Sequence, residues 1–277
     1  MTEARAQLVV REDAYDADVR RLCETLLDRT ALVVAGVPHR LREVEAYYFG
    51  ARHRDPFAHR DPLQREPGRW YFHRRGGTYR GGSFKGLDLT FGAPGAFGGV
   101  LLRTLEPPDG ALISGPSLLV DALLEATGAP RVADLHRRAP DAFDRGAPLH
   151  LADAPPRGAR ILRTARVGLT LKRATGADAR TAYLMRPDRF LDAPRAVRKG
   201  RVHVVVALHL AGLAPGAIRA RTGSPRRSIE GWIAAFEEGR RAGRFEPFLG
   251  RDASSRELAF LAGVWHREHA AGAAPAV

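Results

Sequence analysis

The sequence predicts an α/β (α+β) domain followed by a small all-α domain. Residues 14–191 contain short segments in which apolar and polar side chains alternate, as in half-buried strands, together with helical patterns. Residues 201–277 show helical spacing of apolar residues instead. Periodicity stops in a charged, proline-containing segment between them. We therefore expect one domain over residues 1–192 and a helical domain over residues 201–277.

The individual elements follow from pattern and from turn signals. Strands are predicted at residues 31–37, 41–48, 87–91, 99–105, 161–171 and 182–185. Helices are predicted at residues 16–28, 117–127, 202–211 and 257–268, with two shorter helices between 212 and 236. Residues 53–75 and 131–160 lack a sustained period and are expected to run as surface segments. The glycines of residues 76–86 favour flexibility or a close backbone approach.

Charge narrows the choice of partner. Lys and Arg number 44 against 31 Asp and Glu, a surplus of 13. A strongly basic protein attracts polyanions, so nucleic acid is the expected partner and an anionic membrane a distant second. Cys23 is the single cysteine, which excludes an intrachain disulfide and a cysteine-clustered zinc site. No signal peptide or apolar run of spanning length occurs, so a cytoplasmic protein is expected.

The most informative stretch is L-R-E-V-E-A-Y-Y-F-G at residues 41–50. In an extended strand Val44 and Ala46 point to one face, while Glu45 and Tyr47 point to the other together with Glu43. A glutamate beside a flat ring can prepare a water molecule for attack on a bound aromatic ligand. A half-buried strand with a polar outer face explains the same pattern without any chemistry.

Residues 53–75 combine basic side chains with Trp70 and its aromatic neighbours. Cations hold phosphate and flat rings stack on unpaired bases, so the segment suits a nucleic-acid surface. An ordinary irregular loop is the alternative. His53, His59 and His73 match no compact set of metal ligands, and no metal is expected.

The C-terminal segment carries a second basic motif. Ser224 and Pro225 are expected to be the N-cap and first residue of a helix. Its apolar face comprises Ile229, Trp232, Ile233 and Phe236. Arg226, Arg227 and Ser228 then point outward, which resembles the helix-turn-helix of resolvases and transposases, whose last helix enters the major groove. A plain three-helix packing unit is the alternative.

Several short motifs follow one another along residues 14–191. They are R-E-V-E-A-Y at 42–47, D-P-F-A-H at 55–59, P-G at 67–68, G-V-L-L-R-T-L-E-P at 99–107, S-G-P-S at 114–117, R-V-G at 166–168 and R-F at 189–190. In order and spacing they resemble the alkyladenine (3-methyladenine) DNA glycosylase family. The resemblance implies a mixed, mainly antiparallel, curved sheet with flanking helices, and no cofactor.

The resemblance also implies roles for individual residues. Glu45 would be the general base that activates water for attack on C1′ of a flipped nucleotide. Tyr47 and His59 would line the pocket and stack on the extruded base. Tyr71 and His73 would be further pocket residues, with the neighbouring aromatic side chains as alternatives if the strand is shifted by one residue.

Other positions match the family less closely. Asp88 stands where the family has an asparagine near the base, and Arg103 matches an arginine near the catalytic water. Tyr79 and Arg80 lie where the family has a strand whose tyrosine fills the gap left by the flipped base, so both are candidate DNA contacts. Phe84 is the alternative for that wedge. The Asp88 carboxylate adds a negative charge beside the base, which puts the choice of substrate in question.

The expected function is a monomeric, monofunctional DNA glycosylase that excises a damaged purine, carrying an alkyl or bulky adduct, from double-stranded DNA. No lysine adjoins Glu45, which argues against an imine-forming lyase. A DNA-binding protein that keeps this scaffold without the chemistry is the first alternative. Hydrolysis of N-glycosidic bonds in RNA or nucleosides is the second. The sequence leaves the lesion itself open.

Overall fold

A computed structural model describes residues 2–175 and 178–269, which form two compact units. The first unit contains the described residues up to 54 together with residues 58–159. The second contains residues 55–57 and the described residues from 160 onward. The predicted boundary between residues 192 and 201 lies inside the second unit. In the described part of the chain, no helix is long and apolar enough to cross a membrane.

The first unit combines helices with short and long strands. Its helices are α1 (Glu3–Ala6), α2 (Tyr15–Asp28), α3 (Pro116–Thr127) and α4 (Val132–Arg138). Its strands are β1 (Thr30–Val34), β2 (Val37–Phe49), β3 (Trp70–Phe72), β4 (Arg74–Arg75), β5 (Thr78–Tyr79), β6 (Leu87–Thr90), β7 (Phe97–Glu106), β8 (Ile113–Ser114) and β9 (Leu149–Asp153). The predicted helices at 16–28 and 117–127 are confirmed.

An antiparallel sheet forms the centre of this unit. Its strands follow the order β9, β1, β2, β7, β6 and β3, and β8 pairs with β7. Helix α2 packs against β2, and α3 packs against β7. The predicted α+β class, with a mainly antiparallel sheet, is confirmed. The predicted strands at residues 87–91 and 99–105 correspond to β6 and β7, which pair with each other.

Strands β1 and β2 form a hairpin with a two-residue turn. Ala35 and Gly36 both adopt left-handed backbone conformations, at φ +48° and +83°, which suits the twist of a tight hairpin. Within β2, Val44 and Ala46 are fully buried on the core face. The predicted alternation of this strand is therefore confirmed, and its opposite face carries the acidic side chains.

Two expectations for this unit are wrong. Residues 70–72, expected in a loop, form the buried strand β3, because aromatic side chains fill both faces of the sheet there. Residues 149–153, expected on the surface, form β9 with Leu149 and Leu151 fully buried. In the glycine-rich segment, Gly76 and Gly77 form the left-handed turn of the hairpin β4–β5.

The second unit contains one antiparallel strand pair and several helices. Its strands are β10 (Leu162–Thr164) and β11 (Arg189–Leu191). Its helices are α5 (Arg180–Leu184), α6 (Arg201–Leu210), α7 (Pro215–Thr222), α8 (Arg226–Ala242) and α9 (Ser255–His269). The predicted helices at 202–211 and 257–268 are confirmed. The strand expected at residues 182–185 is wrong, because this segment is the end of helix α5. Four residues are too few to distinguish the helical period from the strand period.

Helices α8 and α9 pack with their backbones in close contact. A Cβ atom on Gly239 would lie 2.0 Å from the Phe260 carbonyl oxygen, and one on Gly263 would lie 2.0 Å from that of Phe236. Only glycine fits at both positions. The opposite end of α8 buries Ile229 among residues of α6 and α7. The predicted apolar face of α8 is therefore correct, and its N-terminal turn stays exposed.

Candidate active site

Four strands of the first unit bring three of the predicted site residues, Glu45, Asp88 and Tyr71, into one row across the sheet. Glu45 on β2 lies opposite Leu101 on β7. Leu101 lies opposite Asp88 on β6, and Asp88 lies opposite Tyr71 on β3. Directly paired positions of an antiparallel sheet share one face. We call the surface formed by this row and by Tyr47 the site face.

The register of β3 decides which aromatic side chains belong to the site face. Because Tyr71 pairs with Asp88, its neighbours Trp70 and Phe72 point to the opposite face. Both are buried there, and the Trp70 indole nitrogen donates to the Leu149 carbonyl oxygen at 3.2 Å. The register shifted by one residue, considered from the sequence, is therefore wrong.

A β-bulge places a charged network beside Glu45. Glu43 pairs with Thr104 while Val44 pairs with Leu102, so Arg103 is an extra residue of β7. Two residues of β7 consequently face one residue of β2, and both bond to it. Arg103 Nε donates to Glu43 Oε1 at 2.7 Å, and Thr104 Oγ1 donates to Glu43 Oε2 at 3.0 Å.

Glu45 is fully buried and receives two donors on one oxygen. The Tyr47 hydroxyl donates to Oε2 at 2.9 Å, and Arg103 Nη1 donates to the same atom at 3.3 Å. Burial alone would lower the pKa of the Arg103 guanidinium, but the carboxylates of Glu45 and Glu43 outweigh it and raise that pKa. Arg103 therefore stays charged beside the two carboxylates.

The other end of the row is a cluster of rings. His59 Nδ1 lies 3.2 Å from the Tyr71 hydroxyl, and the rings of His59 and His73 meet edge to face at 4.3 Å between centroids. The Tyr71 and His73 rings are 5.7 Å apart. The structure thus brings together three of the predicted pocket residues. Among the described residues, no group of His, Cys, Asp and Glu has a geometry that would hold a metal ion.

Asp88 organises this cluster from the middle of the row. Its Oδ1 accepts from His73 Nε2 at 2.8 Å, and its Oδ2 accepts from Gln64 Nε2 at 3.2 Å. Two glycines make room for the arrangement. A Cβ on Gly99 would lie 2.7 Å from Asp88 Oδ2, and one on Gly86 would lie 2.4 Å from the His73 ring. Asp88 therefore fixes the ring of His73 and places a carboxylate group on the site face.

Two rings of the cluster, those of His59 and Tyr71, are held in neutral forms. Burial of its ring, followed by the neighbouring His73, lowers the pKa of His59 to about 4, although the residue as a whole is exposed. Burial and then the Asp88 carboxylate raise the pKa of the Tyr71 phenol. At neutral pH this end of the site face thus presents a neutral imidazole and a neutral phenol beside one fixed carboxylate.

The hairpin β4–β5 carries the predicted DNA contacts Tyr79 and Arg80. The Tyr79 hydroxyl lies 2.8 Å from His136 Nδ1 and accepts from Arg74 Nη2 at 3.2 Å. Burial and the nearby Arg74 lower the pKa of His136 to about 4, which leaves Nδ1 free to accept. Arg80 is partly exposed, and its Nε donates to the Arg74 carbonyl oxygen at 3.4 Å. Tyr79 is consequently tied to the body of the unit, whereas the alternative wedge residue Phe84 is 70% exposed.

The predicted basic contacts of the C-terminal segment lie on the first turn of α8. The Arg226 side chain is 75% exposed and its Nε bonds to Glu230 at 2.7 Å. Arg227 is exposed and Ser228 partly so. The helix begins one residue later than expected, with Pro225 as its N-cap. Ser224 is fully buried, so the expected cap by its side chain is wrong.

Two features of the structure had only weak signals in the sequence. Gln64 belongs to a capping box with Asp61 around the short helix Pro62–Arg65, a four-residue spacing that could have been recognised. In the second unit, Arg166 forms a fully buried ion pair with Asp55. That pair joins the D-P-F-A-H and R-V-G motifs.

Comparison with known proteins adds a family but no activity. No protein-family model matches the chain. The uncharacterized protein L759 of Acanthamoeba polyphaga mimivirus is 32% identical over 146 residues. The match covers 46% of this chain and 68% of the viral protein. The chain therefore belongs to the same family as that viral protein.

Proposed function

We propose that this member of the L759 family is a monofunctional DNA glycosylase that removes damaged purine bases from double-stranded DNA by hydrolysis. One observation carries the proposal. A buried glutamate with an arginine partner lies at one end of a cross-strand row, and a cluster of rings around a fixed carboxylate lies at the other end of the same face.

The dimensions of the row suit a nucleobase. Adjacent strands are about 4.8 Å apart, so the backbones of Glu45 and Asp88 are separated by roughly 10 Å and those of Glu45 and Tyr71 by roughly 14 Å. Leu101, which is 5% exposed, lies between the two ends. A flat ring bound over Leu101 would meet the imidazole and phenol cluster on one side and Glu45 on the other.

The proposed chemistry uses Glu45 as a general base. Its carboxylate takes a proton from water while the water oxygen bonds to C1′ of the flipped nucleotide. The C1′–N bond breaks, and its electron pair leaves with the base. A purine alkylated on a ring nitrogen is cationic and leaves as a neutral molecule, so base catalysis of about 10² to 10⁴ is an adequate contribution. Flipping costs a few kcal/mol and is cheapest for a base that pairs poorly.

Lysine chemistry receives no support from the structure. Lys85 pairs with Asp121, Lys172 pairs with Asp252 in the second unit, and Lys199 is exposed in that unit. An imine-forming lyase needs an amine beside C1′. Water activated by Glu45 is therefore the proposed nucleophile, which makes the enzyme monofunctional and independent of a cofactor.

The helices α7 and α8 are proposed to bind DNA in the manner of a helix-turn-helix. Residues 223–225 connect them in a short turn in which Gly223 adopts φ +68°. The exposed arginines around this turn are Arg219, Arg221, Arg226 and Arg227. No acidic residue occurs from position 211 to position 229. Such a surface attracts phosphate, and a protein of this kind would act on the nucleoid in the cytoplasm.

The test is single-turnover base release from duplexes that carry hypoxanthine, ethenoadenine, 7-methylguanine, 3-methyladenine or a bulky alkyl adduct. Wild type is compared with Glu45→Gln and with the matched control Glu106→Gln, whose carboxylate pairs with Arg42 on the same two strands. We expect Glu45→Gln to lose about 10² to 10⁴ in rate with duplex binding unchanged, because the amide cannot accept the proton. The control should release base like wild type.

Complete burial of Glu45 favours one rival, a DNA-binding protein that keeps this scaffold without the chemistry. That protein would bind all the duplexes and release no base, with or without Glu45. Release from free nucleosides at the same rate as from duplexes would instead support a nucleoside hydrolase. Loss of duplex release in Glu45→Gln alone, together with no release from free nucleosides, would reject both rivals.

A further inference from the structure

Glu43 is a second buried acid on the face of β2 that carries Glu45. It is 5% exposed, and each of its carboxylate oxygens has a donor from the bulge of β7. A buried carboxylate without partners would be costly, and this one is fully satisfied. Its partners are a guanidinium and a hydroxyl that lie next to each other along β7.

The two acids share one arginine. Arg103 bonds to Glu43 through Nε at 2.7 Å and to Glu45 through Nη1 at 3.3 Å. The guanidinium is a rigid plane, so the shorter bond at Nε fixes the direction in which Nη1 points. The geometry of the longer contact to Glu45 therefore depends on Glu43.

The bulge is what makes this sharing possible. In a regular ladder one residue of β7 would face Glu43, but here Arg103 and Thr104 both face it. A second irregularity at Arg42 restores the register beyond the site, so the remaining pairs of β2 and β7 are regular. The distortion is confined to the residues that hold the carboxylate pair.

We propose that Glu43 is a positioning residue for the reaction, one that acts on Glu45 through Arg103. The inference rests on the proposed function. Glu43 makes no step of the chemistry itself. It holds the guanidinium in place and takes up part of its positive charge, so that Glu45 remains a sufficiently strong base.

The electrostatic consequence has a definite sign. This pair of carboxylates accepts hydrogen bonds from Arg103 and Thr104 of β7 and from Tyr47 of β2. In Glu43→Gln the amide keeps the size of the side chain but removes its charge. The loss of a negative charge next to Glu45 favours the ionised form of Glu45. The acid limb of the pH–rate profile should therefore move to lower pH, while the rate on its plateau falls.

The experiment compares wild type, Glu43→Gln, Glu43→Asp and the control Glu106→Gln in single-turnover base release from a 7-methylguanine duplex across pH. We expect Glu43→Gln to lose about 10- to 100-fold in rate, the range of one charge-assisted hydrogen bond, with duplex binding within about twofold of wild type. Glu43→Asp keeps the charge, so its acid limb should stay at the wild-type position even if its rate falls. The control should match wild type throughout.

A second measurement does not depend on activity. The Nε–Hε resonance of Arg103, assigned by its loss in Arg103→Lys, reports the bond to Glu43 in the full chain. It should shift and exchange faster in Glu43→Gln and stay unchanged in Glu106→Gln. An unchanged resonance, or an unchanged pH–rate profile in Glu43→Gln, overturns the inference. Absence of base release from wild type overturns the proposed function instead, and the resonance then still tests the coupling.

Discussion

Charge is arranged differently on the site face and on the first turn of α8. The charged side chains of the site face are buried and paired, so that Glu45, Asp88 and Arg103 each have fixed partners. On α8 the arginines are exposed, and Arg226 has only an exposed partner one helical turn away. A buried, fixed charge acts on one bound group at short range, whereas exposed charges act on a polyanion and are screened by salt.

This contrast separates chemistry from affinity. Substitutions on the site face should change which base is released and how fast, with little effect on binding to undamaged duplex. Substitutions on α8 should change binding to every duplex and leave the chemical step intact. The predictions below test that separation, beginning with the largest expected effect.

Asp88→Asn should reduce the preference for cationic over neutral bases. The substitution keeps the shape of the side chain but removes the only charge among the ring cluster's hydrogen-bond partners that the structure describes. A unit negative charge a few ångströms from a cationic base stabilises that base by several kcal/mol at an effective dielectric constant near 20, before solvent screening. We therefore expect the ratio of 7-methylguanine to hypoxanthine release to fall by about tenfold or more. Single-turnover rates on the two duplexes give this ratio.

The matched control for that experiment is Glu66→Gln, an exposed acid that pairs with Arg69 in the same part of the chain. Its ratio should equal that of wild type. An unchanged ratio in folded Asp88→Asn would mean that the carboxylate serves only to hold His73, and the site face would lose its proposed role in base selection.

The double variant Arg226→Gln/Arg227→Gln should weaken binding to undamaged and damaged duplexes alike. Each lost phosphate contact reduces the magnitude of the negative slope of log K against log salt by about 0.9. We therefore expect this magnitude to fall by about 2, together with roughly tenfold weaker binding at moderate salt. Fluorescence anisotropy at several salt concentrations measures both quantities. The single-turnover rate at saturating protein should not change.

Arg240→Gln provides the control within the same helix, since Arg240 pairs with Glu237 near the other end of α8. The substitution removes one arginine charge, as each substitution of the double variant does, but at a position away from the basic turn. If it lowers the salt slope as much per charge as the double variant, then net charge rather than the α7–α8 surface governs binding.

The sequence predicted the parts of this molecule that depend on local pattern. Alternation along residues 41–48 placed Glu45 and Tyr47 on one face, and helical spacing placed Ile229 and Phe236 on the core side of α8. Each of these patterns is set by side chains close to one another in the chain. Strand β9 was missed because its charged and proline-rich surroundings hide a five-residue strand that is defined only by pairing with β1.

The site itself depends on contacts that no local pattern records. The bulge at Arg103 is a property of two strands about 60 residues apart in sequence, and the bond between Gln64 and Asp88 depends on their register. Asp88 was expected beside the base because of the resemblance, and the structure adds that it holds His73. The types of the site residues could thus be predicted from the sequence, whereas their hydrogen-bond partners are determined by the register of the sheet.

His59 offers the smallest but most specific test of the ring cluster. Its pKa in the folded protein is lowered to about 4, against about 6.5 for an unfolded histidine, so the unfolded chain binds more protons between those values. The free energy of unfolding should therefore rise with pH from about 4 to about 6.5, and part of that rise should vanish in His59→Gln. Urea unfolding at pH 4.5 and 7.0 measures the difference.

His136→Gln is the comparison for that measurement, because burial and Arg74 lower the pKa of His136 to about 4 as well. Each variant should flatten the dependence in part. NMR titration of the His59 ring should show its midpoint near 4, with base release free of any inflection from this residue above pH 5.5. A midpoint near 6.5 would mean that the ring is solvated, and His59 could then carry a proton to the leaving base, which would bring neutral lesions within reach of the same site face.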